Sequence, residues 1–313
     1  MGEIQGIITD VTKLTNRISQ LTIASTDGAV FPEWTAGAHV EFNTPNGKRA
    51  YSLIPSDTLE HYKVAVQRDD DGQGGSTYMH TLTTGDGISF SAPKNDFPLD
   101  KNALGVLLAG GIGVTPLVSM ALALKAENRS VSMIYAGRSR QEMAYISELQ
   151  QALSDQLRMH FDDKHGRLDL NEVVNALDEN AHLYVCGPRP MLDATRKVAA
   201  TAGVNPEHIH FELFETASPQ TGDTPFEVQI NDGSVFKIPV GKTIIEVLEE
   251  NDIDAMYDCQ RGDCGICQCD VLEGVPDHRD VVLSEAERAA GDVMQICVSR
   301  AKSARLVLDI DGE

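Results

Sequence analysis

CQRGDCGICQC, residues 259–269, places four of the chain's six cysteines within eleven positions. Thiols this dense hold one another as disulfides, hold a zinc ion, or hold an iron-sulfur cluster. Zinc sites of the ribbon or finger type draw ligands from two short knuckles, each commonly a Cys-x-x-Cys pair or its histidine equivalent. Here only Cys264 and Cys267 form such a pair. Cys259 precedes Cys264 by five positions and Cys297 follows Cys267 by thirty, which is the C-x4-C-x2-C spacing with a distant fourth cysteine of a plant-type 2Fe-2S centre. Gly262 and Gly265 supply backbone freedom and remove bulk where N–H groups must approach sulfur. The spacing predicts Cys259, Cys264, Cys267 and Cys297 as metal ligands, and Cys269, outside it, as a small buried hydrophobe. Asp258 and Asp263 flank the ligands, where negative charge favours an oxidised cluster, unless they are only solvated loop acids.

Composition bounds the rest. A chain of 313 residues exceeds what one hydrophobic core usually supports, so two or three domains are expected, with an apolar content of 42% typical of soluble globular folds. The first residues show no basic start leading into an apolar run, and no later stretch has the roughly 18 apolar residues of a membrane span. The expectation is a cytoplasmic protein with no membrane partner, where thiols stay reduced and metal or redox chemistry outranks disulfides. A net charge of −21 argues against nucleic acid as a partner. From residue 223 onward 20 Asp and Glu face 8 Lys and Arg, a surplus of 12 acids. That surplus is either a solubilising surface or a docking face for a protein with a basic patch.

The hydrophobic pattern divides the chain into three parts, 1–100, 101–222 and 223–313. Residues 4–97 carry short alternating segments (IQGIITDV, RISQLTIAS, HYKVAVQR, GISFSAP) broken by Gly, Pro, Asn and Asp, the mark of an antiparallel β-barrel or sandwich. From residue 103 strands alternate with helices: VLLA, a glycine turn and a helix opened by Pro116; VSMIYAGR; a helix near 142–153; HLYVCG; a helix over 190–202 closed by Gly203; HIHFELF. This predicts an α/β domain with a mostly parallel sheet covered on both faces. Residues 215–225, ETASPQTGDTP, read as a linker that lets the last domain reorient. Beyond it come the strands FEVQI and VFKIPV, a helix TIIEVLEEN, the cysteine loop and a closing strand RLVLDI.

A 2Fe-2S centre carries one electron, so the first two domains are expected to contain its source. LLAGGIGVTP follows a strand and opens a helix, so its N–H groups suit an anion such as a pyrophosphate. Pro116 stands where the dinucleotide fingerprint has its third glycine, and no acid ends the next strand; a glycine turn by itself can simply join strand to helix. CGPRPM, 186–191, is a second such turn, and two turns at strand ends make a ligand crevice. In RAYSL, 49–53, alternation puts Arg49 and Tyr51 on one strand face, suited to a planar anionic cofactor or to ordinary packing. GQGGSTY, 72–78, adds a glycine turn with hydroxyls for a phosphate.

With RAYSL, GGS, GGIGVTP, YVCGP, FELF and the cysteine loop in this order over essentially its whole length, the chain resembles the phthalate dioxygenase reductase family, which includes vanillate demethylase reductases. The resemblance implies an FMN-binding β-barrel, an NAD-binding domain and a β-grasp-like α+β ferredoxin domain, passing electrons to a terminal Rieske-type oxygenase. It implies that Arg49, Ala50, Tyr51 and Ser52 contact FMN, that Ala65 and Val66 line the flavin ring, and that Gly74, Gly75 and Ser76 hold its phosphate. Thr115 would approach the flavin, and Phe214 would cover the ring until nicotinamide displaces it. Gly111, Gly113, Cys186, Gly187 and Pro188 would border the nucleotide, with Cys186 beside the hydride-donating carbon. Gln67 departs from the family, which often has a basic residue there. Arg138 and Arg140 leave NADPH as an alternative to NADH. The expected protein is a monomeric oxygenase reductase; a stand-alone flavin or ferric reductase, or a diaphorase with another acceptor, is the alternative enzyme, and a zinc-bearing interaction protein the non-enzymatic one.

Overall fold

The computed structural model describes residues 3–56, 58, 60–100, 104–214 and 220–310. Six strands, β1 (Ile4–Lys13), β2 (Ile18–Ser25), β3 (His39–Thr44), β4 (Gly47–Ile54), β5 (His61–Gln67) and β6 (Gly87–Phe90), close into an antiparallel barrel in the order β1-β2-β5-β4-β3-β6. Alternation drives the closure. Val64 and Val66 point into the barrel with Leu21, Ile23, Phe42 and Phe90, while Ala65, between them, points out. A single turn of helix, α1 (Gly75–Met79), follows β5.

The next strands, β7 (Leu104–Gly110), β8 (Val131–Gly137), β9 (Leu157–Phe161), β10 (Ala181–Cys186) and β11 (Ile209–Glu212), form a parallel sheet ordered β11-β10-β7-β8-β9. Its helices are α2 (Val114–Ala126), α3 (Ile146–Leu153), α4 (Asp162–His165), α5 (Leu170–Asn175) and α6 (Arg189–Ala202). A tight turn at Gly111–Gly113 precedes α2, so the helix begins two residues before Pro116. Pro116 still lies in the first turn, where N–H groups have no helical acceptor and its missing donor costs nothing. β9, α4 and α5 lie in a stretch where short polar-rich segments give no clear period, and the sequence pattern does not reveal them.

Barrel and parallel sheet share one core. Ile18, Ile54, Ala65 and Phe97 pack with Leu117, Val118, Met120 and Ala121 of α2, and each fully buried large side chain contributes roughly 1.5–3 kcal/mol. Gly37 marks the closest approach. Its N–H donates to Ser119 Oγ at 3.0 Å, its φ is +93°, and a Cβ there would lie 2.0 Å from the Phe97 carbonyl oxygen.

The last sheet is mixed, ordered β13-β12-β18-β14-β16, from β12 (Phe226–Gln229), β13 (Val235–Ile238), β14 (Gln268–Glu273), β16 (Val293–Gln295) and β18 (Arg305–Asp309). β15 (Pro276–Asp277) and β17 (Arg300–Ala301) form a small second ladder. Helices α7 (Ile244–Glu249) and α8 (Glu285–Ala290) each begin with a capping box, Thr243 with Glu246 and Ser284 with Glu287. β14, β16 and α8 are additions to the sequence reading; their apolar positions are too few to set a period.

By contact, the chain forms two compact units, Met1–Met191 with Glu207–Glu212, and Leu192–Pro206 with Leu213–Glu313. Most of α6 therefore groups with the last sheet. Arg196 explains part of that: it donates to the Leu283 carbonyl at 3.4 Å and pairs with Glu285 at 3.4 Å. Residues 215–219 of the expected linker lie outside the described residues, and 220–225 are not free coil. Asp223 takes a bidentate bond from Arg279, at 3.0 and 2.6 Å, with both side chains buried, and Arg300 lies 3.8 Å away. Arg300 also donates to the carbonyls of Thr224, Pro239 and Lys242 and lies over the Phe226 ring.

The Arg279 guanidinium holds Asp223 down at about 2. Asp223→Ala leaves a buried guanidinium partly unpaired; at about 3 kcal/mol, the lower end because Asp277 still faces Arg279, the melting midpoint of this unit is expected to fall by roughly 10 °C in a thermal scan. On the parallel sheet His182 Nδ1 and His210 Nε2 lie 2.9 Å apart, with His208 and Tyr184 stacked on either side. Burial, with His182 adding to it, lowers His210 to about 4. The folded form thus prefers a neutral ring, so this group's stability is intact above its unfolded value of about 6.5 and is lost as pH falls from there to about 4. His210→Phe should flatten the fall in melting temperature across that window.

Candidate functional site

The cysteine loop lies between α7 and β14. β14 pairs antiparallel with β16 in the register Gln268↔Gln295, and Ile296 N donates to Cys267 O at 3.2 Å. That pairing brings Cys297 to Cys267 although they are thirty positions apart in the sequence. The loop turns through left-handed residues at Gln260 (φ 52°), Gly262 (φ 83°) and Gly265 (φ 81°). Gly262 admits no side chain, since a Cβ would lie 2.9 Å from Asp280 Cα and 2.6 Å from Val298 Cγ2. The Arg261 N–H donates to Cys259 Sγ at 3.3 Å.

All six cysteines are free thiols. Cys259 is hydrogen-bonded with Cys264 and Cys297, and Cys267 with Cys297, so the four predicted ligands form one continuous group. Donation from Cys264 and Cys297 pulls the Cys259 thiol below its ordinary range, and Cys297 does the same for Cys267; the two donors are pushed up in return. Ready ionisation of two thiols suits a metal site, because ligation requires thiolates. Among the described residues no three His, Cys, Asp or Glu side chains converge as a site for a single ion. A two-iron cluster does not ask for one, since its four thiolates are shared between two irons. Cys269 is buried in the core of this domain, and burial raises its thiol.

Asp263 is not a solvated loop acid. Its side chain is 3% exposed, pairs with Arg261 at 3.3 Å and accepts from the Leu213 N–H at 3.0 Å. Burial pushes its carboxyl up to about 7, with Arg261 opposing and Cys259 adding.

In the barrel, β4 and the glycine turn at 72–76 meet. Arg49 Nη2 donates to Gln73 Oε1 at 2.8 Å, and a Cβ on Gly75 would strike Arg49 Cγ at 2.6 Å. Gly74 is left-handed, φ 84°, against Asn46. Ser76 Oγ accepts from Asp69 N at 3.0 Å. Burial pushes the Tyr51 hydroxyl up to about 12 against the pull of Arg49. Ala50 lies opposite Glu41 on the alternate face. Ala65 and Val66 face opposite ways, so only Ala65 presents its side chain outside the barrel; the Val66 carbonyl meets His80 Nε2 at 2.9 Å. His80 is absent from the sequence reading, because a lone His carries no spacing signal.

The barrel meets the nucleotide sheet at Ser52 and Thr115, both buried. Thr115 Oγ1 lies 3.5 Å from Ser52 Oγ and 3.1 Å from the Ile112 carbonyl. The two predicted glycine turns abut: a Cβ on Gly113 would sit 2.2 Å from the Cys186 carbonyl oxygen, and one on Gly187 would sit 3.0 Å from Gly110 Cα. At Gly111, φ 56°, a Cβ would meet nothing within 4 Å, so this turn is open on that side. Gly187 leads through Pro188 into α6. Cys186 is fully buried, with Glu212, itself buried, 3.9 Å from its sulfur. Glu212 lies within the quoted FELF but carries no motif of its own. Phe214, in the other compact unit, is 39% exposed.

Residues 228–302 match the family model described as a 2Fe-2S iron-sulfur cluster binding domain, and 107–197 match the oxidoreductase NAD-binding domain. Over 311 residues the chain is 37% identical to phthalate dioxygenase reductase of Burkholderia cepacia, covering 95% of this chain and 94% of the relative. The chain belongs to the phthalate dioxygenase reductase family. A solved phthalate dioxygenase reductase, described as a modular structure for electron transfer from pyridine nucleotides to [2Fe-2S], superposes with a TM-score of 0.71 at 36% identity, over 98% of both chains. Tetrachlorobenzoquinone reductase of Sphingobium chlorophenolicum is 39% identical over 99% of both chains. Full-length CYP116B46 of Tepidiphilus thermophilus matches 98% of this chain with a TM-score of 0.76 at 32% identity, but the chain spans only 42% of that protein.

A family member built this way is an NAD-binding iron-sulfur flavoprotein oxidoreductase. Cys297→Ala is expected to remove the iron-sulfur absorption and transfer beyond the flavin, while flavin reduction by nicotinamide nucleotide stays within about threefold. Rapid-scan absorption reads both, and equal loss of the two contradicts separate steps.

Proposed function

We propose that this protein is the reductase component of a Rieske-type aromatic-ring oxygenase or demethylase, drawing electrons from NADH through FMN and a 2Fe-2S cluster. The observation that carries the reading is the grouping of Cys259, Cys264, Cys267 and Cys297 in a chain that aligns end to end with phthalate dioxygenase reductase. NADH gives two electrons together as hydride and the cluster takes them singly, so bound FMN supplies the exchange between the two. The protein's part is placement, and no general acid, base or nucleophile is needed.

In this reading the modules are 1–100 for FMN, 101–222 for the nucleotide and 223–313 for the cluster. Arg49, Ala50, Tyr51 and Ser52 with Gly74, Gly75 and Ser76 hold FMN and its phosphate, with Ala65 and the backbone of Val66 at the ring. Contact between Arg49 and Gly75 supports one continuous cradle. Gly111, Gly113, Cys186, Gly187 and Pro188 receive the nucleotide; the open side of Gly111 leaves room for it, and Thr115 and Phe214 face the flavin. NADH is favoured over NADPH because Gly137 pairs with Phe161, setting Asp162 and Asp163 beside Arg138 at neighbouring strand ends, where a 2′-phosphate meets negative charge. Among the described residues no helix is long and apolar enough to cross a membrane.

A second reading rests on the tetrachlorobenzoquinone reductase relative: the acceptor is a quinone or another small oxidant, and no oxygenase is served. Purified protein should contain flavin, iron and sulfide, prefer NADH, and support turnover when mixed with a Rieske-type oxygenase. A preparation lacking both flavin and iron defeats the proposal. Cofactor-replete protein that reduces quinones and supports no oxygenase selects the second reading.

A further inference from the structure

The cluster loop carries one carboxylate whose contacts reach outside the loop. Asp263 stands immediately before the ligand Cys264, and its side chain is almost wholly buried. One oxygen, Oδ2, accepts from the backbone N–H of Leu213 at 3.0 Å and faces Arg261 Nε at 3.3 Å. The same carboxyl lies against the Cys259 thiol. Leu213 is itself buried, follows the last residue of β11, and directly precedes Phe214. A side chain in contact with one cluster ligand, adjacent in sequence to another, thus holds the main chain next to the aromatic residue assigned above to the flavin face. A buried backbone N–H needs an acceptor, and Asp263 supplies one for Leu213.

Building on the reductase reading, we propose that Asp263 is a positioning residue that tethers the Leu213–Phe214 segment to the cluster loop, so that Phe214 is presented to the electron-transfer path in one ordered conformation. The tether moves no proton and no electron of its own. Its effect is geometric: without it the segment carrying Phe214 loses its bond to the cluster loop. Loss of such a contact is felt in the order of the Leu213–Phe214 segment and in the rate of electron delivery to the cluster.

Two variants separate the tether from the charge. Asp263→Asn and Asp263→Ala remove the same charge, but only Asn keeps an oxygen that accepts from Leu213 N–H. Leu213→Pro removes the donor from the other side without touching the loop. In full-length protein first verified for flavin, iron and sulfide, amide exchange over residues 209–214 is expected to quicken about tenfold in Asp263→Ala and to stay within about threefold of wild type in Asp263→Asn. In single-turnover mixing with NADH, cluster reduction should slow about tenfold in Asp263→Ala and Leu213→Pro, with Asp263→Asn near wild type. Equal behaviour of Asp263→Ala and Asp263→Asn, or wild-type exchange in Asp263→Ala, overturns the proposal. Should Asp263→Ala fail to hold iron, Leu213→Pro decides, and unaltered cluster reduction there overturns it too. Wild-type protein without flavin or iron would instead overturn the reductase reading, a distinct result.

Discussion

Antiparallel pairing of β14 with β16, in the register Gln268↔Gln295, is the constraint on which the site depends. Three of the four thiols come from one loop and need only that loop's left-handed turns. The fourth, Cys297, is thirty residues away, and only the strand pair brings it to Cys267. A slip of one residue would turn Cys269 and Met294 out of the core and carry Cys297 away from its partners. Capping boxes on α7 and α8, and the buried ion pairs of Asp223 with Arg279 and of Asp280 with Arg288, hold the segments that flank this pairing.

The same logic runs through the first unit at lower chemical stakes. Its two glycine turns abut only because β7 and β10 are neighbours in the parallel sheet, which brings the main chain at Gly113 against the Cys186 carbonyl. The barrel is fixed to that sheet by the shared apolar core and by the Gly37–Ser119 hydrogen bond, so Ser52 and Thr115 meet from different domains. Glycine at 37, 113 and 262 is in each case dictated by close main-chain approach.

The acid surplus of the last domain takes a different form in three dimensions. Asp223, Asp263, Asp277 and Asp280 face Arg279, Arg261 or Arg288 in buried or half-buried pairs. These ties take up four acids and three arginines, so 16 acids against 5 bases remain outside them and the domain's surplus of negative charge is almost undiminished.

Spacing along the chain determined what is local. It set the candidate ligand pattern Cys259, Cys264, Cys267 and Cys297, the barrel's alternation, the change to a βα period, and the glycine turns, because each depends on residues close in sequence or on counts between them. The start of α2 two residues before Pro116 and the short elements β9, β14, β16 and α8 were not legible, since strands of three to six residues hold too few apolar positions to show a period. Tertiary structure alone decided the outward turn of Ala65 against the inward turn of Val66, the grouping of most of α6 with the last sheet, the meeting of Cys186 with Glu212, and the reach of Asp263 to Leu213. Each of these joins residues through hydrogen bonds and packing between distant segments, and no pattern within a single segment encodes where another will fold against it.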